Sequence, residues 1–320
     1  MTIIAGIDEA GYGPVLGPMV TTVVAFCVPD EKIDCSLWEL LSDAIANDLK
    51  GRNQRIAVRD SKKLYRPHSG LGLQPLEVGV LSFLELKSLN ITSFQQLLDS
   101  LSYNAGELEL YPWYAGKNYP LPFSTNRVVV LNGADALKHV CGKQDVSFFH
   151  ASSCIIQVQE FNEQIQVFRN KSRVLFKACA ELISRLWNIS HGHIRLIVDK
   201  QGGRNTYTDL LKEQLSIADI RVLKEGDKIS TYEARTTDKK MTISFMEKGE
   251  DMCMTVALAS MFSKYLRELF MRLENQYWVQ LLPGLKPTAG YYSDAQRFLA
   301  EIAPVKQREK IQDTMLIRVR

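Results

Sequence analysis

The sequence predicts an α/β domain built on a mixed sheet flanked by helices. Three observations carry that prediction. Apolar runs at residues 2–8 and 19–28 flank a glycine- and proline-rich loop, so the chain opens with a buried strand, a tight turn and a return strand. From about 159 to 188, apolar or small residues recur every three or four positions, at Phe161, Ile165, Phe168, Ser172, Leu175, Cys179, Leu182 and Leu186, which lines one face of a helix. Beyond it, strand patterns at 194–198, 220–223 and 241–246 alternate with helical patterns at 208–215 and 250–273, and a last helix follows at about 293–302. Strands first and alternation afterwards fit one domain with a mixed sheet.

The remaining stretches are weaker. Residues 73–89 have roughly helical spacing, blurred at the start by Pro75 and Gly79. Residues 102–150 are rich in Tyr, Pro, Gly and Asn, and are expected to be an insertion with little regular structure. Residues 224–240 set Lys224, Lys228, Arg235, Lys239 and Lys240 among turn formers, which suits either a basic hairpin over a substrate or a solvated loop. Trp113 and Tyr114 are expected to pack the insertion onto the core.

Composition narrows the class without choosing a partner. The chain has 320 residues, 46% of them hydrophobic and 23% charged, which supports a full core and excludes a disordered or fibrous protein. A net charge of +3 fits a nucleic-acid protein and many others, so local clusters must decide. The cysteines (Cys27, Cys35, Cys141, Cys154, Cys179, Cys253) form no CxxC pair and are expected to be reduced thiols in a cytoplasmic protein. The apolar run at 19–28 is too short to span a bilayer, and the N-terminus lacks the basic region of a signal peptide, so no membrane role is expected. His191 and His193 are expected to flank a turn before a strand rather than hold a metal.

Four acids stand apart. Asp8 and Glu9 end a buried strand at a glycine turn, Asp199 ends another, and Glu250 opens a helix. Strand ends in open α/β sheets are where ligands sit. Carboxylates gathered there repel one another and stay ionised together only beside cations. Hard oxygen donors favour Mg²⁺ or Mn²⁺, and two such ions suit phosphodiester hydrolysis. Taken singly, each acid is more often a strand-end or capping residue.

The order of motifs resembles that of type 2 ribonucleases H, the ribonuclease HII family. Gly6-Ile7-Asp8-Glu9-Ala10-Gly11-Tyr12-Gly13-Pro14-Val15-Leu16-Gly17-Pro18 is close to that family's opening motif, and Asp60-Ser61-Lys62-Lys63-Leu64 matches the next. Val198-Asp199, Lys248-Gly249-Glu250, the segment Ala259-Ser260-Met261-Phe262-Ser263-Lys264 with Arg267, and Gly290-Tyr291 follow in the same order. The resemblance implies a ribonuclease H-like mixed sheet flanked by helices, with C-terminal helices. It implies one catalytic domain over 1–303, with insertions at about 31–57, 67–157 and 224–240, and a tail at 304–320. It also implies hydrolysis of the RNA strand of RNA–DNA hybrids by a monomer, leaving 3′-hydroxyl and 5′-phosphate ends. Asp8, Glu9, Asp199 and Glu250 would bind two Mg²⁺ or Mn²⁺ ions. Gly11, Tyr12 and Gly13 would meet the ribose and its 2′-hydroxyl; Lys62, Lys63, Ser260 and Lys264 would meet phosphates, Tyr291 a sugar, and Ser61 would belong to the same substrate-binding set. Two positions depart from the pattern. Tyr12 stands where the family has arginine and brings no cation, and Glu250 replaces an aspartate and is longer by one methylene.

Overall fold

The computed structural model describes residues 1–47, 55–65, 71–215 and 219–319, with backbone alone at 105–107. Its main sheet has seven strands: β1 (Thr2–Ala10), β2 (Met19–Val28), β3 (Ser147–Ile156), β4 (His193–Asp199), β5 (Asp219–Lys224), β6 (Ile229–Arg235) and β7 (Lys240–Met246). Their order across the sheet is β3-β2-β1-β4-β7-β6-β5. The central β1, β4 and β7 are parallel, with Ile7 beside Val198 and Asp199 beside Met246, and the outer pairs are antiparallel. The acid-bearing ends of β1 and β4 therefore open on one edge.

The longer helices are α1 (Gln74–Glu85), α2 (Phe94–Leu101), α3 (Arg127–Gln144), α4 (Val158–Phe168), α5 (Lys171–Ile189), α6 (Thr208–Gln214), α7 (Met254–Leu281) and α8 (Tyr292–Arg308). β2 is buried on both sides, which is why it reads as one apolar run. Val20, Val24 and Phe26 join the core under α7, while Met19, Val23 and Ala25 join the core under α5. α7 lies directly on β1. A Cβ on Gly6 would stand 2.3 Å from the Val256 nitrogen, so only glycine lets the helix approach.

Several sequence expectations change. The helix over 159–188 is two helices, because Arg169 turns left-handed at φ 49° and Asn170 caps α5 by accepting the Ser172 N–H at 2.9 Å. The helix expected from 250 breaks at Cys253, whose extended backbone (φ −133°) separates a single turn, Gly249–Met252, from α7. Residues 102–150 hold regular structure, namely α3 and the start of β3. Buried Val130, Ala134, Leu137 and Cys141 keep helical spacing in α3, but exposed Val128, Val129 and Leu131 hide the face. Residues 224–240 contain β6, so their cations divide: Lys224 and Lys228 flank the acid-bearing edge, and Arg235, Lys239 and Lys240 lie at the other. Lys239 is spent there on the Trp187 carbonyl and ring.

Other expectations hold. Pro75 sits in the first turn of α1, where its missing N–H is not needed. Trp113 and Tyr114 are buried, and Trp113 packs 6.3 Å from the Trp278 ring of α7. Parts of the ranges 31–57 and 67–157, and residue 320, lie outside the described residues. No helix among the described residues is long and apolar enough to cross a membrane.

A buried acid ties α1 to its surroundings. Glu77 is fully buried and accepts the N–H groups of Phe123 and Ser124 at 3.0 and 2.6 Å and the Tyr265 hydroxyl at 2.8 Å. Glu77→Leu strands three buried donors and is expected to cost about 3 kcal/mol in urea unfolding, while Glu77→Gln, which keeps an acceptor, costs less. Equal losses for the two substitutions would refute this account.

Candidate active site

The site forms where three chain segments meet at the edge of the sheet. β1 delivers Asp8 and Glu9, β4 delivers Asp199, and the turn Gly249–Met252 delivers Glu250. That turn is held to β4 by the Gly249 N–H, which donates to Asp199 Oδ1 at 3.0 Å. Lys248 adopts a left-handed backbone (φ 56°) just before it, which swings Glu250 towards Asp199. Asp8 Oδ1 accepts the Glu9 N–H at 2.8 Å, and the Ser260 hydroxyl reaches the Asp8 carboxyl. The Ser263 hydroxyl donates to the Asp8 carbonyl at 3.0 Å and also lies 2.9 Å from the Thr22 hydroxyl.

The four acids sense one another. Burial, then the charges of Glu9 and Glu250, hold Asp8 well above the usual carboxylate range. Burial and the Asp199 charge push Glu9 up to about 7, against the pull of Lys62. Burial, with Asp8 and Glu250 behind it, pushes Asp199 up to about 8. Burial pulls Lys62 down, but Asp60, Asp8, Glu250 and Glu9 outweigh it and hold the ammonium above its ordinary value.

Among the described residues no three His, Cys, Asp or Glu side chains are already gathered as a closed ligand set. The acids stand as neighbours whose charges act on one another. Their chemistry nonetheless suits a hard divalent cation. All four offer carboxylate oxygens, and Glu250 Oε2 is buried with no partner of its own. The Glu250 carboxyl hydrogen-bonds Asp199, whereas Asp251 turns outward and pairs with Lys63. Glu250, not Asp251, is thus the acid that faces the cluster.

The expected substrate residues divide into open and covered groups. Gly13 is exposed, and a Cβ there would lie 3.8 Å from the ring of Tyr291, itself half exposed. Tyr12 is partly buried beside Glu9, with the Lys171 ammonium 4.6 Å from its ring centre. Gly11 has φ +91° and lies tight against Arg267 and Pro18. Ser61 and Ser260 are buried and bonded to each other at 2.9 Å, so they brace Asp8 from behind rather than face solvent. Lys264 pairs with Glu268 at 2.6 Å and stands 5.0 Å over the Tyr65 ring, and Lys63 pairs with Asp251. Lys62, from the turn Ser61–Leu64, is the lysine whose charge is felt by the acids.

Two groups escaped the sequence reading. Arg204, in the loop after Asp199, lies close enough to influence the Tyr12 hydroxyl and bonds the Ser172 hydroxyl at 2.7 Å. Ser263 holds the Asp8 backbone. Arg204 was a lone polar residue without distinctive spacing, and Ser263, although it lies in the quoted helix segment, carried no local sign of its partner, so only tertiary packing reveals both contacts.

No family model matches the chain. Ribonuclease HII of Methanocaldococcus jannaschii is 34% identical over 109 residues, which is 34% of this chain and 38% of that protein, so the match spans well under half of the relative. Among solved structures, ribonuclease HII from Archaeoglobus fulgidus, in a complex with PCNA, aligns over 99% of this chain and 94% of its own at 14% identity and a TM-score of 0.45. Ribonuclease H2 from Pyrococcus horikoshii aligns over 98% and 92% at 15% identity and a TM-score of 0.46. Over those 109 residues the chain is similar to a ribonuclease HII, the family whose motifs its sequence resembles in order.

Proposed function

We propose that the chain is a divalent-cation-dependent endonuclease that hydrolyses the RNA strand of RNA–DNA hybrids and leaves 3′-hydroxyl and 5′-phosphate ends. The observation that supports this most is the convergence of Asp8, Glu9, Asp199 and Glu250, from three segments, beside an open glycine loop. These four side chains would hold two Mg²⁺ or Mn²⁺ ions, which when bound lower the pKa of water and stabilise charge on the leaving oxygen. The chain's own groups do the positioning. Ser260 and Ser263 fix Asp8 from beneath, and the Gly249 N–H fixes Asp199. The exposed Gly13 backbone admits a ribose closely, and Tyr291 beside it offers a face to a sugar. Lys62 holds a phosphate, and Lys63 and Lys264 exchange their present carboxylate partners for phosphates on binding. We take the protein as a cytoplasmic monomer, in keeping with its free cysteines.

The test is cleavage. The purified protein is given a labelled RNA–DNA hybrid, and separately a DNA duplex with one ribonucleotide, in Mg²⁺ or Mn²⁺. Cutting of the hybrid with 5′-phosphate products supports the reading. No cutting of either substrate, alongside calorimetrically detected Mn²⁺ binding, would point to a nuclease of other nucleic acids; no cutting and no metal binding would point to a non-catalytic homologue.

Tyr12 lacks the charge of the arginine it replaces, and the nearby cations are Lys171 and Arg204. Arg204→Ala is expected to raise KM with little change in kcat, and to reduce the slope of log affinity against log salt by about one. An unchanged slope would remove Arg204 from the phosphate path.

A further inference from the structure

At the end of α5 remote from the acids, a cleft of about 620 Å³ opens to solvent. α5 starts at Lys171, beside Tyr12, and Arg185 lies about 20 Å further along the helix axis. The cleft runs between the face of α5 that carries Ser184, Arg185 and Asn188, the edge strand β3 at His150, the Tyr103 ring, and Gln214 at the end of α6.

One wall of it is firmly held. Residues 102–104 run beside β3, where Ser102 bridges Ser153 and the Asn104 side chain bonds the Ile155 carbonyl at 2.7 Å and the Ile155 N–H at 3.1 Å. The Tyr103 hydroxyl donates to Glu181 Oε2 at 2.6 Å, and the Arg185 guanidinium lies 3.5 Å from the Tyr103 ring centre. A guanidinium held by its face keeps its N–H groups for a partner in its own plane.

Charge and size narrow the occupant. Glu181 lines the cleft one turn before Arg185, but both its oxygens are answered, Oε1 by the Lys177 ammonium at 2.6 Å and Oε2 by Tyr103. Among the described residues Arg185 pairs with no carboxylate, and no other acid lines the cleft. Burial first, then the charges of Lys87 and Arg185, pull His150 down to about 4, so a neutral imidazole with one donor and one acceptor faces the space. The cleft thus asks for one anionic group. Its volume is that of a small-molecule site and far exceeds what an inorganic ion fills.

We propose that this cleft binds a nucleoside monophosphate, with the phosphate on the Arg185 N–H groups and the base against Asn188 and Gln214. A phosphate takes the fork of a guanidinium in two parallel hydrogen bonds. Asn188 and Gln214 are amides that both donate and accept, as the edge of a nucleobase does. Among the described residues Asn188 makes no side-chain hydrogen bond, and Gln214 makes one long bond, 3.4 Å to Glu213. Ile189, 44% exposed at the same end of α5, offers an apolar surface to the face of the base. The site stands apart from the four acids and does not depend on their chemistry.

The test is calorimetric titration of the full chain, without divalent cations, with the 5′-monophosphates of adenosine, guanosine, cytidine and uridine, and with ribose 5-phosphate and inorganic phosphate beside them. At least one nucleoside monophosphate is expected to bind one site per chain with a Kd below about 1 mM. Arg185→Met is expected to weaken it about tenfold or more, as loss of a charge-assisted fork does, and Asn188→Leu about threefold. Both residues are exposed on α5, so the fold survives either change. No binding of any of the four, or the same affinity in Arg185→Met, overturns the site. Ribose 5-phosphate or inorganic phosphate binding as tightly as the nucleotides overturns the base contacts, and with them the ligand class.

Discussion

Asp199→Asn is expected to abolish cleavage and, in metal-free buffer, to make the protein more stable. The first effect follows from the proposed chemistry. Removing a carboxylate that holds a catalytic cation forfeits several kcal/mol of charge stabilisation, and about 4 kcal/mol corresponds to roughly a thousandfold in rate. The second effect follows from the sign of the proton linkage. The Asp199 carboxyl is raised from 3.8 to about 8 in the fold, chiefly by burial and then by Asp8 and Glu250. A carboxyl that binds its proton more tightly when folded destabilises the fold as pH climbs from the unfolded value towards the folded one. The penalty is absent below about 4 and complete above about 8. Asparagine carries no such penalty, and its carbonyl oxygen can still accept the Gly249 N–H that Asp199 Oδ1 accepts. The gap in unfolding midpoint between variant and natural protein should therefore be near zero at pH 4 and on the order of 5 °C at pH 8. Excess Mg²⁺ should close it by stabilising only the natural protein. A variant less stable than the natural protein at pH 8 without metal would show that Asp199 is structural. The same cluster should release protons when Mg²⁺ binds near pH 7, because the ligands must ionise.

The acids themselves were legible because each sits at a boundary that sequence marks well. Asp8 and Glu9 close an apolar run before glycines, and Asp199 closes another. Their convergence was legible only through the ordered motifs, since nothing local says that β4 lies parallel beside β1. The breaks at Arg169 and Cys253 escaped detection for a simple reason. A single left-handed or extended residue leaves the apolar period on both sides intact, so one long helix and two short ones look alike. α3 escaped because three exposed aliphatic residues sit beside its buried stripe. The strand β6 hid among charged and turn-forming residues, although β5 and β7 pair with it on either side. Ser61 and Ser260 show the converse limit. Sequence placed them near the chemistry, and the fold brings them there, but as a buried pair behind Asp8.

Gly11→Ala and Gly13→Ala are expected to fail in different ways, and the difference separates the loop's architecture from its contact with substrate. Gly11 has φ +91°, which disfavours any side chain, and its new Cβ would stand 2.6 Å from the Pro18 carbonyl and 2.7 Å from Arg267 Nε. Neither neighbour yields easily. Pro18 offers backbone, and Arg267 is buried and tied to two carbonyls. Strain and overpacking together are expected to cost about 2–4 kcal/mol in unfolding free energy. The loop would shift, and a displacement of about 1 Å at the site is enough for a hundredfold loss of kcat. Gly13 faces open space, with only the Tyr291 ring at 3.8 Å. Gly13→Ala should thus keep its stability within about 0.5 kcal/mol, as surface substitutions do. If a ribose lies against the Gly13 backbone, the added methyl blocks it, and hybrid binding falls while the melting curve stays in place. If Gly13→Ala binds and cuts the hybrid as the natural protein does, the substrate does not pass over this loop, and the role proposed for Gly13 and Tyr291 is wrong even where the four acids remain the catalytic site.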